Sequence, residues 1–393
     1  MEESSAGNTA ASGAVRIAMY DPVSSQKEEA FHYAAFLIGV LVVASGVFVG
    51  LSLYERSELG EYRLGIGNAP HYTPYYLGRL LIAFLLALFC VFGVYRLSDP
   101  EAPFHLAPLQ PAKRSAAYAV LAAAAGSTAL FVASPQLFYA GALEDEPLEW
   151  ASALLPLASS LAFAYAFWRI RMSEQRDSHR TLSLVLSALF AVTLFVIGME
   201  EISWMQRVFD IETPAVFAGN QQQEMNLHNM HSILFGNAHK LAMVFGLIVL
   251  PFLVETAPKN ALLGALRDFL PGRFVLMVSG PFIAFNYIGW NMFLTPFTVA
   301  VAVLIFHYYA RAARDRGDRG EARFFRLLVL FVVVAQGLFL ALGERFVRTW
   351  DTSEYGELFM AIGLALFSWE ATRRLVARYP ARKAPLGAVP AAP

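Results

Sequence analysis

Long apolar stretches alternate with short polar ones along the whole chain, with a helical rather than a strand-like period. A helix rises about 1.5 Å per residue and the hydrocarbon layer of a bilayer is about 30 Å thick, so about 20 mostly apolar residues make one crossing. The runs that approach this rule are His32–Tyr54, Tyr75–Leu97, Ser115–Ala140, Trp150–Ile170, Leu182–Glu200, His231–Val254, Phe274–Tyr287, Met292–Ala310, Phe325–Leu342 and Glu354–Glu370. They predict an all-α fold, a polytopic integral membrane helix bundle of about ten transmembrane helices. The seventh and eighth runs are divided only by Ile288, Gly289, Trp290 and Asn291, which leaves a re-entrant hairpin as an alternative there. Ser279-Gly280-Pro281 predicts a kink in the seventh. Around the bundle, assigned to residues 31–375, the polar residues 1–30 read as a flexible tail and the Pro/Ala-rich residues 376–393 as a disordered one.

Lysine and arginine collect at alternate connections. Clusters fall at Arg96, Lys113 and Arg114, at Arg169 to Arg180, at Lys259 to Arg273, at Arg311 to Arg326 and at Arg373 to Lys383. The bias of basic residues toward the cytoplasm then puts both termini inside and a polar linker over residues 200–231 outside. Arg56 and Arg63 dissent, lying on the predicted outer side. The first run lacks the basic segment immediately before it that marks a cleaved signal peptide, so it reads as a retained span of a multi-pass protein in a bacterial inner membrane.

Composition strengthens this reading. Only 16% of residues are charged and 57% are hydrophobic, with a mean hydropathy of +0.48. A soluble domain carries about 25% charged residues, more than this chain can offer to water. The net charge of −1 gives no electrostatic case for binding nucleic acid. Cys90 is the single cysteine, so no intrachain disulfide exists.

The chemistry is concentrated in the linker. Glu200, Glu201, Ser203, Trp204, Gln206, Arg207 and Glu212 are followed by Glu224, Asn226, His228, Asn229 and His231. A helix continuing past the fifth run would put Glu200, Ser203, Trp204 and Arg207 on one face and turn Glu201 away. Those groups then form either surface salt bridges beside an interfacial tryptophan or a cavity in which Arg207 holds a phosphate or carboxylate bidentately. Glu224, His228 and His231 have the spacing i, i+4, i+7 and would stack on one side of a helix opening the sixth run. One carboxylate and two imidazoles suit a divalent metal such as zinc or iron, or a proton relay, or simply the membrane interface. Asn226 and Asn229 fall on the other side, placed to cap or hydrogen-bond the linker. Lys240 comes about 14 Å below His231 along such a helix. A lysine at that depth needs a counter-charge, for which Glu200 or Glu201 is the expected partner. Glu354 and Glu357 open the tenth run and either help complete the site or serve only as the carboxylates that the helix dipole favours at a helix start.

The linker resembles a pattern in uncharacterised multipass bacterial membrane proteins. The residues that carry the resemblance are Glu200-Glu201-Ile202-Ser203-Trp204, Gln206-Arg207, Glu212-Thr213-Pro214, Glu224 and Asn226-Leu227-His228-Asn229. Met199 and Met205 stand where that pattern often has glycine. The resemblance implies a shared site and names no reaction.

Three functions are compatible with these features. The first is a membrane enzyme with an outer-leaflet site that hydrolyses, or transfers a group on, a lipid or lipid-linked substrate. In it Glu200 or Glu201 serves as general base, His228 as acid, base or ligand, Arg207 as anion clamp, and Ser203 lies next to the acids. The second is a proton- or ion-coupled transporter or channel using Lys240, Glu224 and the kinked seventh run. The third is a non-enzymatic subunit of a membrane complex, docking through the linker.

Overall fold

The computed structural model describes residues 22–58, 73–97, 108–143, 146–220, 223–227, 232–256, 261–287, 293–348 and 350–380. These residues form α-helices joined by short turns, with no strand among them. In chain order the helices are α1 (Pro22–Glu58), α2 (Pro74–Leu97), α3 (Pro111–Ala133), α4 (Pro135–Gly141), α5 (Pro147–Met172), α6 (Arg180–Glu201) and α7 (Ser232–Val244). They continue as α8 (Leu250–Thr256), α9 (Ala261–Leu266), α10 (Arg273–Ser279), α11 (Phe282–Phe285), α12 (Leu294–Asp315), α13 (Arg319–Ala341) and α14 (Asp351–Arg378). A π-helical turn over Phe245–Val249 joins α7 to α8.

Local sequence explains most of the helix starts. Proline occupies the first turn of α3, α4 and α5, where its missing N–H has no partner to lose and its fixed φ suits the helix. Asp318 caps α13 by accepting the Glu321 N–H at 3.0 Å. The terminal segments are more helical than expected. α1 already begins at Pro22, within the segment read as a tail, and α14 continues to Arg378, with Tyr379 buried beyond it.

Among the described residues, eight helical segments are long and apolar enough to cross a membrane: His32–Glu58, Pro74–Arg96, Pro111–Ala133, Pro147–Met172, Arg180–Glu201, Ala238–Thr256, Leu294–Asp315 and Arg319–Ala341. The chain is a multi-pass helical bundle. Two expected runs are absent from that set for a physical reason. The run Phe274–Tyr287 is broken into α10 and α11, and every residue from 273 to 287 is buried. The run Glu354–Glu370 lies in α14, which packs on α5, α10 and α11 through the middle of the bundle. A helix enclosed by protein can carry polar residues on faces that lipid would not tolerate.

The break between α10 and α11 falls at Gly280-Pro281, as the kink expectation had it. Breaking a helix frees backbone carbonyls, which cost several kcal/mol each if left bare in an apolar core. The short α11 also ends inside the protein, and there one side chain collects its carbonyls: Gln336 Nε2 of α13 donates to those of Ile283 (3.1 Å), Ala284 (2.9 Å) and Asn286 (3.3 Å). α14 comes so close to the break that a Cβ at Gly363 would sit 2.1 Å from Ser279 Oγ. Gly198 does the same for α5 and α6, since a Cβ there would lie 2.8 Å from the Ala153 carbonyl.

The helix ends sort into two groups. At one end, called here the basic end, Arg114 of α3 meets Asp318 at 3.0 Å, and Lys113 meets Glu370 of α14. Arg378 of α14 bridges Asp177, between α5 and α6, and Asp268, both at 2.8 Å. Arg273 of α10 and Arg316 after α12 reach Glu321 of α13 at 3.2 and 3.0 Å. At the opposite end lie the C-terminus of α6, the linker, the start of α7 and the start of α14.

Candidate functional site at the linker end

The α-helical path of α6 stops at Glu201, and the next turn winds the other way. Ser203, Trp204 and Met205 have φ values of 46°, 56° and 64°. Three consecutive non-glycine residues in the left-handed region cost about 1–2 kcal/mol each, so the surrounding bonds must hold them there. The expectation that Glu200, Ser203, Trp204 and Arg207 share one face of a continuing helix is therefore corrected. The reversal folds the linker back on itself.

What holds the reversal is a polar network around Glu224. Ser203 Oγ donates to Glu224 Oε2 at 2.8 Å, Asn226 Nδ2 donates to the same oxygen at 2.7 Å, and Arg207 pairs with Oε1. Asn226 Nδ2 also reaches Ser203 Oγ at 2.9 Å. Asn220 Nδ2 ties in the Glu224 carbonyl (2.9 Å) and Asn226 Oδ1 (2.9 Å). Gln206 closes the other side: its Nε2 donates to the Ile211 carbonyl and Thr213 Oγ1, and its Oε1 accepts the Met225 N–H at 2.6 Å. Ser203, Gln206, Asn220, Glu224 and Asn226 are all buried. Glu200 fastens the return strand, accepting from Trp204 Nε1 and from the Leu227 N–H, both at 2.7 Å.

Glu224 lies in extended chain, outside α7, which begins at Ser232. The expected stacking of Glu224 with His228 and His231 on one helix is thus corrected for Glu224. His228, Asn229 and His231 lie outside the described residues. Among the described residues, no group of three His, Cys, Asp or Glu side chains is arranged to hold a metal. Glu212 is exposed and takes no part in the network around Glu224.

Glu201 turns away from the linker, into the bundle, as the helical spacing expected. There it lies within electrostatic reach of Glu357 and Glu354 on α14, Glu149 on α5 and Glu200. Lys240 of α7 joins this group, with Glu357 and Glu354 as its carboxylate neighbours. The expected pairing of Lys240 with Glu200 or Glu201 gives way to the α14 carboxylates. All of these side chains are half-buried, with Glu201 at the end of α6, Glu149 in the first turn of α5, and Glu357 and Lys240 further inside α14 and α7. Glu354 and Glu357 join the site as carboxylates the sequence already offered at a helix start, and Glu149 is a functional candidate that sequence reasoning passed over. The available signal for Glu149 was positional: it opens α5 at the end of the bundle where α6 finishes.

A second acid of that end pairs differently. Glu55 of α1, fully buried, accepts from Arg79 of α2 at 2.6 Å and from the Tyr75 hydroxyl at 2.9 Å. That pair joins the first two helices and accounts for Arg79, whose charge otherwise has no place in an apolar run.

No family model, curated protein or solved structure matches the chain.

Proposed function

We propose that this chain is a membrane-embedded enzyme of ten crossings, eight apolar and two enclosed, acting by acid–base catalysis on a lipid or lipid-linked substrate at its linker end. The supporting observation is the gathering of Glu201, Glu354, Glu357 and Glu149 within electrostatic reach of one another, with Lys240 beside Glu357 and Glu354. Carboxylates assembled within the bundle repel one another, and Lys240 and Arg348 offset part of that repulsion. The remaining charge is balanced by a proton shared among them or by a cationic part of the ligand. A protonated carboxyl beside an ionised one is the pair that hydrolysis and group transfer need: one gives a proton to the leaving oxygen while the other takes it from the attacking hydroxyl.

In this reading Glu201 and Glu357 are the acid and base, and Lys240 sets the charge between them. Arg207, a third exposed and paired with Glu224, stands at the rim to receive an anionic head group. The Glu224 network keeps the rim in one conformation, so the substrate does not have to order it on binding. By the distribution of basic residues the linker end faces outward and both termini face the cytoplasm.

The test is lipid conversion by purified protein in nanodiscs loaded with a total bacterial membrane lipid extract, followed by mass spectrometry. One lipid class should be consumed by the wild type and spared by Glu201→Gln and Glu357→Gln. Unchanged lipids with a folded wild-type protein would count against an enzyme. A second reading, proton-coupled transport, draws on the enclosed break between α10 and α11 beside a π-helical turn. Proton flux in proteoliposomes that depends on Lys240 would favour it.

A further inference from the structure

The linker presents an apolar edge that neither the polar network nor the acid cluster uses. Val208, Phe209, Ile211 and Val216 are 55%, 69%, 43% and 75% exposed. Their outward aim is fixed from behind. The Ile211 N–H bonds the Gln206 carbonyl at 3.0 Å and the Ile211 carbonyl accepts from buried Gln206, so residues 206–211 form a closed loop on a rigid base.

Position identifies what covers this edge. The chain leaves α6 at Glu201 and returns through α7, so the edge lies at the level where the apolar helices end. Trp204 packs edge-on against Phe195 of α6, with ring centroids 6.3 Å apart at 77°. Phe195 belongs to an exposed apolar stripe with Val185, Leu189, Val192 and Val196, at the spacing of one helix face. In a spanning helix such a stripe faces lipid. The edge thus continues the lipid-facing surface of α6, through Trp204, which suits the interface with its apolar ring and its N–H bonded to Glu200.

We infer that residues 208–217 form an interfacial lip seated in the leaflet on the α6 side of the bundle, with Phe209 and Val216 as its inserted side chains. The inserted depth is that of an interfacial apolar segment, about 5–10 Å into the headgroup and acyl boundary. The inference rests on the bundle lying in a bilayer and is independent of the chemistry proposed above.

The experiment uses the full chain in a Cys90→Ser background, reconstituted in phosphatidylethanolamine/phosphatidylglycerol vesicles. A single cysteine at Phe209→Cys, Val216→Cys or the polar neighbour Glu212→Cys carries an environment-sensitive fluorophore. At positions 209 and 216 we expect blue-shifted emission, quenching by lipids spin-labelled near the headgroup and little quenching by aqueous iodide. At 212 the preference reverses. Iodide quenching at 209 and 216 equal to that at 212 overturns the lip, because the edge then faces water. Shielding of 209 and 216 from both quenchers also overturns it, because a protein surface then covers the edge. The two lip positions are read separately, so a misfolded single variant does not decide the result, and no activity is needed.

Discussion

At the basic end of the bundle, carboxylates are met by guanidinium groups. Glu321 lies between Arg273 and Arg316, Asp177 and Asp268 share Arg378, and Asp318 holds Arg114. At the linker end, Glu201, Glu354, Glu357 and Glu149 lie within electrostatic reach of one another, with Lys240 beside Glu357 and Arg348 within reach of Glu354, while Glu224 and Glu55 keep arginine partners. The first arrangement costs desolvation and recovers it by pairing, which fixes helix ends relative to one another. The second sets like charges side by side, which costs stability and is the arrangement found where proton transfer is needed.

Substitution should separate the two ends by the sign of its effect. Arg273→Met removes a 6%-exposed cation from Glu321, which is fully buried. Arg316 stays 3.0 Å from Glu321, so the loss is smaller than the about 3–5 kcal/mol of a buried pair broken outright, and thermal unfolding in nanodiscs should still occur at a lower temperature. Glu201→Gln at the linker end keeps shape and removes like-charge repulsion against Glu357 and Glu354. It should leave unfolding unchanged or slightly later while abolishing lipid conversion. Equal destabilisation by both would erase the distinction.

Within the linker end, the Glu224 network and the acid cluster should also differ. Glu224→Gln deletes the ion pair with Arg207 and one acceptor of buried donors, at about 1–3 kcal/mol of local stability. Faster cleavage of residues 203–227 by limited proteolysis should follow, with the helices intact. Met205→Gly goes the other way. At φ 64° glycine relieves about 1 kcal/mol of left-handed strain, so the same cleavage should slow. A linker equally labile in both variants would mean that the turn is not held by this network.

The bundle was legible because lipid imposes one requirement on long stretches, and eight of the runs read from hydropathy are apolar helices long enough to cross. The runs in α10–α11 and α14 were legible as helix but not as enclosed helix, because burial by protein and burial by lipid select similar residues. The linker was legible as a concentration of polar groups, and its internal partners were not. The assumed helix failed at Ser203, where three non-glycine residues adopt positive φ for reasons that lie in Glu224 and Asn226, about 20 residues onward. Glu354 and Glu357 fitted either a dipole-favoured helix start or a share in the site, and the meeting of α5, α6, α7 and α14 favours the second.

The smallest expected effect belongs to the basic end and depends on pH. Asp177 sits in the turn between α5 and α6, outside the spanning segments. Its burial alone would raise its pKa, but the Tyr379 hydroxyl and Arg378 Nε, each at 2.8 Å, outweigh that and hold it below the ordinary carboxylate value. A carboxylate whose pKa is depressed by folding stabilises the fold above its unfolded value of about 3.9, and loses that contribution as the pH falls through the lower folded value. The group is partly solvated, so its contribution is below about 1 kcal/mol. Asp177→Asn should therefore unfold slightly earlier than wild type near neutral pH, and the gap should close once the pH falls below both values. A gap that persists undiminished in acid would mean that packing of the α14 terminus, rather than its charge pairing, joins it to the α5–α6 turn. The basic end would then differ from the linker end by shape and not by electrostatics.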